Sequence, residues 1–301
     1  MRLLVSMVLT KSNYVFMMHS IYSNIKSYAK INIGLKILDI LPDGYHSLCT
    51  IMQEIDFYDS ITIKPIKQHT IKITCDGPIS VPSDESNLCI KAAKLIFKNY
   101  NCHHGIHIFL HKNIPIGAGL GGGSSNAATV LRALNDIFNL KIKNRELKEL
   151  AMELGCDVPF FINGGTQIAE GKGEILTPLN IDISQYYFLL VFPSFQVSTK
   201  WAYSFFKKDL PNTFDSHKFR SFQASLDWKL FENDFENIIK STYPEVVEIR
   251  RILEMNSSIF VSLSGSGSTM FGVFEDFLKA DSAYQHLQNY HCCIVKPHKR
   301  N

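Results

Sequence analysis

Apolar and polar residues alternate along the first third of the chain in the pattern of β-strands. Ile61 and Ile63, for example, show the two-residue period of a sheet with one buried face. The segment 25–41 is rich in isoleucine and leucine with interspersed polar residues, which predicts one or two strands. The predicted strands of this region are 25–41, 51–58, 61–66, 70–75 and 105–112.

Helical periodicity appears further along. Apolar residues from Ala127 to Phe138 recur at three- and four-residue spacing, which predicts a helix over 125–138. We also expect a helix over 87–100 with Ser86 as its N-cap, and another that begins at Asn144 and ends at Gly155. Pro159 favours extended geometry at the preceding residue, so Asp157 is predicted to lie on a stiff turn after that helix.

The pattern changes near residue 180, where a second β-α-β-β-α-β order begins. This order is typical of ferredoxin-like domains. We therefore predict an α+β protein with an N-terminal extension (1–26), predicted to be disordered, an N-terminal domain (27–180) and a C-terminal domain (181–301). The predicted C-terminal elements are strands at 186–192, 258–264, 269–274 and 292–295, and helices at 199–207, 227–240, 244–254 and 277–288.

Composition narrows the class of protein. The 301 residues are 46% hydrophobic and 20% charged with a net charge of +3, which is ordinary for a globular protein and does not indicate a nucleic-acid partner. Seven cysteines without a C-x-x-C spacing favour a reducing compartment over a disulfide framework. We expect a cytoplasmic protein without a membrane partner, present as a monomer or weak homodimer.

The N-terminal residues 1–26 leave three interpretations open. The first 38 residues contain no Asp or Glu, and residues 3–9 are mostly apolar, as in a targeting segment. The apolar stretch is short, however, and soon becomes polar. We therefore favour a disordered extension, or a true start at Met17 or Met18, over a targeting segment.

A glycine-rich stretch, Pro115 to Asn126, is the strongest chemical signal. It lies between a predicted strand and a predicted helix, where glycine lets a ligand approach the main chain and the helix N-terminus favours a phosphate. A dinucleotide fold would require an acid at the end of the next strand, but Asp136 lies on the helix. A P-loop would require a lysine where Ser124 stands. The stretch therefore predicts a nucleotide phosphate site of another type, with a tight structural turn as the alternative.

Lys30 and Asp157 form a second candidate pair. A strand lysine and a turn aspartate are usually surface charges. If they meet, Asp157 would orient an alcohol or accept its proton, and Lys30 would neutralise developing charge during phosphoryl transfer.

Three weaker signals remain. The stretch Leu263 to Ser268 alternates serine and glycine, and is either a hairpin or a second anion-binding loop. Tyr45, His46 and Tyr203 would stack on a heterocycle, although a core tyrosine is the commoner outcome. The histidines between His103 and His111 suggest a metal at first sight, but two of them on one strand face lie about 13 Å apart, too far for one ion. We therefore predict a solvated strand face here and no metal-ligating residues.

Together these pieces resemble the GHMP kinase superfamily. The glycine-serine stretch is similar to its central ATP-binding motif. Within the superfamily, the fuller pattern is similar to the branch that phosphorylates 4-diphosphocytidyl-2-C-methyl-D-erythritol, because the D-G-Y-H and G-x-D-V-P stretches are specific to that branch. The matching segments are 29–32, 43–46, 119–128, 155–159, 169–171 and 264–267.

The resemblance implies a fold and a set of roles. The fold is a ribosomal-S5 domain-2-like N-terminal domain followed by a ferredoxin-like C-terminal domain. The chain would transfer phosphate from ATP with Mg²⁺ to the 2-hydroxyl of the cytidyl substrate, with Asp157 as base and Lys30 as its partner. The implied nucleotide-binding residues are Asn87, Pro115, Gly117, Gly119, Leu120, Gly121, Gly122, Gly123, Ser124 and Ser125. The implied substrate-binding residues are Asn32, Tyr45, His46, Thr199, Tyr203, Gly265, Ser266 and Gly267.

Two alternatives stay open on the sequence. A mevalonate- or homoserine-type kinase of the same superfamily would share the glycine motif, but a small acceptor does not need an aromatic base clamp at Tyr45 and His46. A non-catalytic nucleotide-binding protein on the same fold would be expected to lack Lys30 or Asp157, and both are present.

Overall fold

A computed structural model describes residues 22–206, 219, 222 and 227–300. These residues form two compact units. The first unit holds 22–27, 58–113 and 123–162, and the second holds 28–57, 114–122 and the described part of 163–300. The domain boundary expected at 180 remains a prediction, because the chain passes between these units several times.

Strands and helices follow one another in a mixed order along the chain. The strands are β1 (Tyr22–Ile40), β2 (His46–Ile66), β3 (Ile71–Asp76), β4 (Gly105–His111), β5 (Thr166–Gly171), β6 (Ile175–Pro178), β7 (Tyr187–Phe192), β8 (Phe260–Leu263), β9 (Met270–Phe274) and β10 (His291–Val295). The helices are α1 (Leu88–Asn99), α2 (Gly122–Ile137), α3 (Asn144–Leu154), α4 (Phe160–Asn163), α5 (Thr199–Tyr203), α6 (Glu236–Thr242), α7 (Glu245–Met255) and α8 (Phe277–His286). Among the described residues, no helix is both long and apolar enough to span a bilayer.

The first unit is a sheet with helices. The last part of β2 pairs antiparallel with β4, and β4 pairs parallel with β3. The predicted alternation is confirmed, since β3 alternates between half-buried and exposed residues and Ile61 and Ile63 are fully buried. Helix α2 buries the predicted apolar face from Ala127 to Ile137.

The second unit contains the first part of β2, which pairs with β5, and β5 in turn pairs with β6. It also contains a separate four-stranded antiparallel sheet in the order β10-β7-β9-β8. Counted along the chain, this is the order 4-1-3-2, with helices between the first and second and between the third and fourth strands. The ferredoxin-like prediction for the C-terminal region is confirmed.

Several local predictions were wrong. Residues 51–58 and 61–66 are one continuous strand, β2, rather than two. Asn87, not Ser86, caps α1, because its side chain accepts the Cys89 N–H while Ser86 bonds Asp84. The helix expected over 227–240 is a short 3₁₀ turn, Trp228–Leu230, followed by α6.

The N-terminal extension needed a similar correction. Residues 22–26 are the start of β1 and not part of a disordered segment. Residues 1–21, including Met17 and Met18, lie outside the described residues, and so does Lys207 at the end of the helix expected over 199–207.

Candidate active site

Lys30 lies on β1 in the second unit and is only 4% exposed. Its ammonium donates to Asn32 Oδ1 at 2.6 Å and to the Gly119 carbonyl at 2.8 Å. The Lys30 backbone N–H also donates to the Leu120 carbonyl at 3.0 Å. Side chains at i and i+2 share a strand face, which is why Lys30 and Asn32 meet. The lysine is thus fixed with its charge against the glycine-rich loop.

The loop itself, 114–122, bends through left-handed backbone geometry. Gly117, Gly119 and Gly121 have φ values of 65°, 77° and 65°. A Cβ at Gly119 would lie 1.9 Å from the Ser264 carbonyl oxygen, so no side chain fits there. The loop leads directly into α2, which begins at Gly122.

The second glycine loop, 264–267, packs directly against the first. The Ser264 hydroxyl donates to the Gly119 carbonyl at 2.9 Å, and the Thr269 N–H donates to the Ala118 carbonyl at 3.3 Å. Gly265 and Gly267 both have positive φ. The structure therefore brings together two loops that are about 145 residues apart in the sequence, with Lys30 and Asn32 beside them.

Asn233 holds the second loop and had no sequence signal. Its buried side-chain amide donates to the Leu263 carbonyl at 2.7 Å and to the Gly265 carbonyl at 2.8 Å. The Thr199 and Ser266 hydroxyls lie 3.2 Å apart, which joins the start of α5 to the same loop.

Three predicted base-binding aromatics also lie in the second unit. The rings of His46 and Tyr203 are 5.0 Å apart, and His46 Nε2 lies 2.9 Å from the Phe206 carbonyl oxygen. Tyr45 is 58% exposed, and the Lys172 ammonium lies 4.5 Å from its ring centroid. Lys172 also pairs with Asp43 and holds the pKa of that carboxyl below its usual value.

The remaining predicted residues belong to the first unit. Asp157 is half-buried on the turn between α3 and α4, as expected from Gly155 and Pro159. Asn87 uses its side chain to cap α1 and to bond the Pro82 carbonyl at 2.7 Å. Ser124 is half-buried in the first turn of α2, next to exposed Gly123.

Ser125 and Leu120 point into the protein. The Ser125 hydroxyl is buried and lies 2.8 Å from the Ser27 hydroxyl, and the Leu120 side chain belongs to the apolar core of the second unit. Their backbone atoms are therefore what these two positions offer to a nucleotide.

A buried polar network in the first unit was missed by sequence reasoning. Asn126 Nδ2 donates to Ser27 Oγ at 3.0 Å and to Asp59 Oδ2 at 2.8 Å. Asp59 also pairs with Lys112 at 2.7 Å and accepts the Asn113 backbone N–H at 2.7 Å. Through Asn126, this network fixes the start of α2 to the sheet of the first unit.

Comparison with known proteins decides the family. The family description "GHMP kinases N terminal domain" matches residues 87–165, and "GHMP kinases C terminal" matches residues 215–291. The chain is 40% identical over 279 residues to the 4-diphosphocytidyl-2-C-methyl-D-erythritol kinase of Chloroherpeton thalassium, covering 91% of this chain and 96% of the relative.

The chain belongs to the GHMP kinases.

Other relatives agree with this placement. The kinase of the same name from Clostridium botulinum (strain Alaska E43, type E3) is 40% identical over 88% of this chain and 95% of its own. A crystal structure of 4-(cytidine 5'-diphospho)-2C-methyl-D-erythritol kinase superposes with a TM-score of 0.74 at 30% identity, covering 91% of this chain and 100% of that one.

More distant structures share the fold alone. The homoserine kinase of Cytophaga hutchinsonii has a TM-score of 0.68 at 17% identity, covering 91% of this chain and 96% of that one. The L. major mevalonate kinase has a TM-score of 0.67 at 15% identity, covering 92% and 97% of the two chains.

These matches confirm the expected family and two-domain GHMP kinase fold. As a member, the chain is an ATP-dependent kinase that acts on a small molecule, which excludes the non-catalytic alternative. The roles of individual residues remain predictions.

Proposed function

We propose that this GHMP kinase transfers the γ-phosphate of ATP to the 2-hydroxyl of 4-diphosphocytidyl-2-C-methyl-D-erythritol. This reaction is a step of non-mevalonate isoprenoid precursor biosynthesis, and we place it in the cytoplasm. Relatives at 40% identity over about nine-tenths of the chain support the substrate.

The observation that carries this choice is the aromatic group at Tyr45, His46 and Tyr203 in the same unit as Lys30 and both glycine loops. A mevalonate or homoserine acceptor has no base for these rings to stack on. A cytidyl substrate presents a flat heterocycle to them and a sugar alcohol to Asn32 and Lys30.

The buried lysine supports a phosphoryl-transfer role. The Lys30 ammonium is held by Asn32 and by the Gly119 carbonyl of the proposed phosphate loop. A fixed positive charge in a buried site stabilises charge that develops as the phosphate moves, without reorganisation at the moment of reaction. In our proposal Asp157 orients the 2-hydroxyl or accepts its proton, and the α2 N-terminus and loop backbone hold the phosphates.

Mg²⁺ fits this donor set as an ion carried on ATP. Across the described ranges, no three His, Cys, Asp or Glu side chains are grouped to hold a metal. Magnesium usually keeps several waters and binds through substrate phosphates with one or two protein oxygens. We propose the Ser124 hydroxyl, half-buried in the first turn of α2, as one of those oxygens; bound there, the ion would neutralise phosphate charge.

A substrate panel tests the assignment. Purified protein with ATP is offered the cytidyl substrate, mevalonate or homoserine, with ADP release as the rate and ³¹P NMR to locate the new phosphate. We expect a 2-phosphate on the cytidyl substrate alone. Turnover of mevalonate or homoserine with no reaction of the cytidyl substrate would overturn the proposal.

The role of Asp157 has its own test. Asp157→Asn should lower kcat by at least about 10²-fold and leave ATP affinity within a few-fold, because proton transfer and orientation contribute about 10²–10⁴-fold. Asp136→Asn, on an exposed position of α2, is the matched control and should keep full activity. Full activity in Asp157→Asn would remove that residue from the mechanism.

A further inference from the structure

Tyr45 has a fixed backbone but an exposed ring. The turn between β1 and β2 is closed by two hydrogen bonds, from the Leu41 N–H to the Tyr45 carbonyl at 2.7 Å and from the Gly44 N–H to the Leu41 carbonyl at 2.9 Å. The side chain nevertheless remains 58% exposed. An exposed aromatic ring usually samples several rotamers, so something else must hold it if it is to meet a base in one orientation.

Lys172 supplies that support from the β5–β6 hairpin. Gly171 at φ 71° turns the chain, and the Lys172 N–H donates to Glu174 Oε2 at 2.6 Å, which fixes the tip of the hairpin. The Lys172 ammonium then lies 4.5 Å from the Tyr45 ring centroid, within cation–π range.

Asp43 closes the arrangement. Its Oδ2 pairs with the Lys172 ammonium, and its Oδ1 accepts the Tyr45 backbone N–H at 3.1 Å. Asp43, Tyr45 and Lys172 therefore form a closed triangle in which each member contacts the other two. The triangle links the D-G-Y-H turn to the hairpin within the second unit.

We propose that Lys172 is a positioning residue for the cytidyl substrate: by occupying one face of the Tyr45 ring, it holds the opposite face ready to stack on the base. This inference rests on the proposed function. It assigns a role in substrate specificity to a hairpin residue that none of the glycine or D-G-Y-H motifs includes. The interaction acts on binding of the base and not on the transferred phosphate. Its loss should therefore raise KM for the cytidyl substrate and leave kcat unchanged.

The expected effect is modest. Ion pairs and cation–π contacts at partly exposed positions are weak individually, and Lys172 and Asp43 are both partly exposed. Loss of the lysine should therefore raise KM for the cytidyl substrate by roughly 3- to 10-fold.

Steady-state kinetics of three variants test the proposal. Lys172→Met should raise KM for the cytidyl substrate and leave kcat and KM for ATP within about twofold, and Lys172→Arg should restore the wild-type KM because it keeps a cation over the ring. Lys64→Met is the matched control, because Lys64 lies 5.0 Å over the ring of Phe109 in the other unit. An unchanged KM in Lys172→Met would overturn the proposal, and so would an equal rise in Lys64→Met.

A double-mutant cycle separates positioning from direct contact. In a Tyr45→Leu background, Lys172→Met should change KM no further, because the ring that the lysine holds is gone. If the lysine instead contacts substrate directly, its full effect persists in that background and the positioning role is wrong.

One readout does not depend on activity. In protein labelled with 3-fluorotyrosine, the ¹⁹F resonance absent from Tyr45→Leu identifies Tyr45. Lys172→Met should shift or broaden that resonance, and Lys64→Met should not. A wild-type protein that ignores the cytidyl substrate would refute the proposed function, whereas an unmoved Tyr45 resonance would refute the positioning role by itself.

Discussion

Two lysines of this kinase are almost completely buried, and they differ in what surrounds them. Lys30 is 4% exposed and Lys112 is 3% exposed. Lys112 pairs with the Asp59 carboxylate inside a polar network that anchors α2. The Lys30 ammonium donates to the Asn32 side-chain oxygen and to the Gly119 carbonyl of the glycine loop.

Burial alone therefore does not identify a catalytic lysine. A carboxylate partner in a closed network satisfies the charge of Lys112 and makes it a structural element. The Lys30 ammonium instead contacts the main chain of the glycine loop, so its charge lies where the phosphates of a nucleotide are proposed to bind. Four substitutions test this contrast.

Lys30→Met should separate rate from stability. We expect kcat to fall by about 10²–10⁴-fold, since a fixed charge at the transferring phosphate is lost. The loss of the hydrogen bonds to Asn32 and Gly119 should cost about 1–3 kcal/mol of unfolding free energy, so the protein should still fold. Thermal melts and turnover measured on the same preparation check the predicted stability and the predicted kcat. A large fall in Tm with retained kcat would show that Lys30, like Lys112, is a structural lysine.

Lys112→Met should show the reverse behaviour. It leaves the Asp59 carboxylate buried without its ammonium, which typically costs about 3–5 kcal/mol of unfolding free energy. Urea unfolding provides the measurement. The double variant Asp59→Asn/Lys112→Met removes the stranded charge and should recover at least half of the loss; if it is no more stable than Lys112→Met, the ion pair is not the cause.

Gly119→Ala tests the packing of the glycine loop whose Gly119 carbonyl accepts the Lys30 ammonium. The new methyl group would approach the Ser264 carbonyl oxygen to 1.9 Å at a residue with φ 77°. Gly117→Ala is matched in φ, at 65°, but its methyl group would meet no atom within 4 Å. Both should pay about 1–2 kcal/mol for left-handed geometry, and Gly119→Ala should lose more in unfolding free energy. Equal losses would show that the two loops separate easily.

Asn126→Ala should have the smallest effect. It removes the hydrogen bonds to Ser27 and Asp59 that secure the first turn of α2. We expect a loss of about 1–3 kcal/mol in unfolding free energy, together with a few-fold rise in KM for ATP. An unchanged KM for ATP would show that this network stabilises the fold but does not affect ATP binding.

The contrast between the two lysines also explains what sequence could predict. Lys30 stood out because it shares a strand face with Asn32 in a motif of the family, and both features are local. Lys112 appeared only as the end of a predicted strand. Its partner Asp59 lies 53 residues away, and a pairing over that distance cannot be predicted from the residues near Lys112.

Asp59 accounts for one error in the predicted fold as well. With Ser60 it interrupts an apolar pattern, so β2 was predicted as two strands. In the structure the carboxylate is buried and satisfied by Lys112, Asn113 and Asn126, and the strand continues through it. A polar residue marks a break only when nothing in the fold satisfies it.

Asn233 shows the same limit near the candidate site. The apolar spacing around it predicted a helix over 227–240. Its side chain instead accepts the Phe235 N–H and donates to two carbonyls of the second glycine-loop region, which interrupts the helix. By contrast, the ferredoxin-like order and α2 could be predicted from the spacing of apolar residues, because regular spacing reflects which face of a strand or helix is buried.

A paired measurement on Lys30→Met tests whether this buried charge serves the phosphate during transfer. Binding of a non-hydrolysable ATP analogue is measured by calorimetry, and single-turnover phosphorylation of the cytidyl substrate is measured with the same protein. We predict analogue affinity within a few-fold of wild type and a transfer rate lower by at least about 10²-fold. Wild-type transfer by Lys30→Met would contradict the claim that this buried charge serves the moving phosphate.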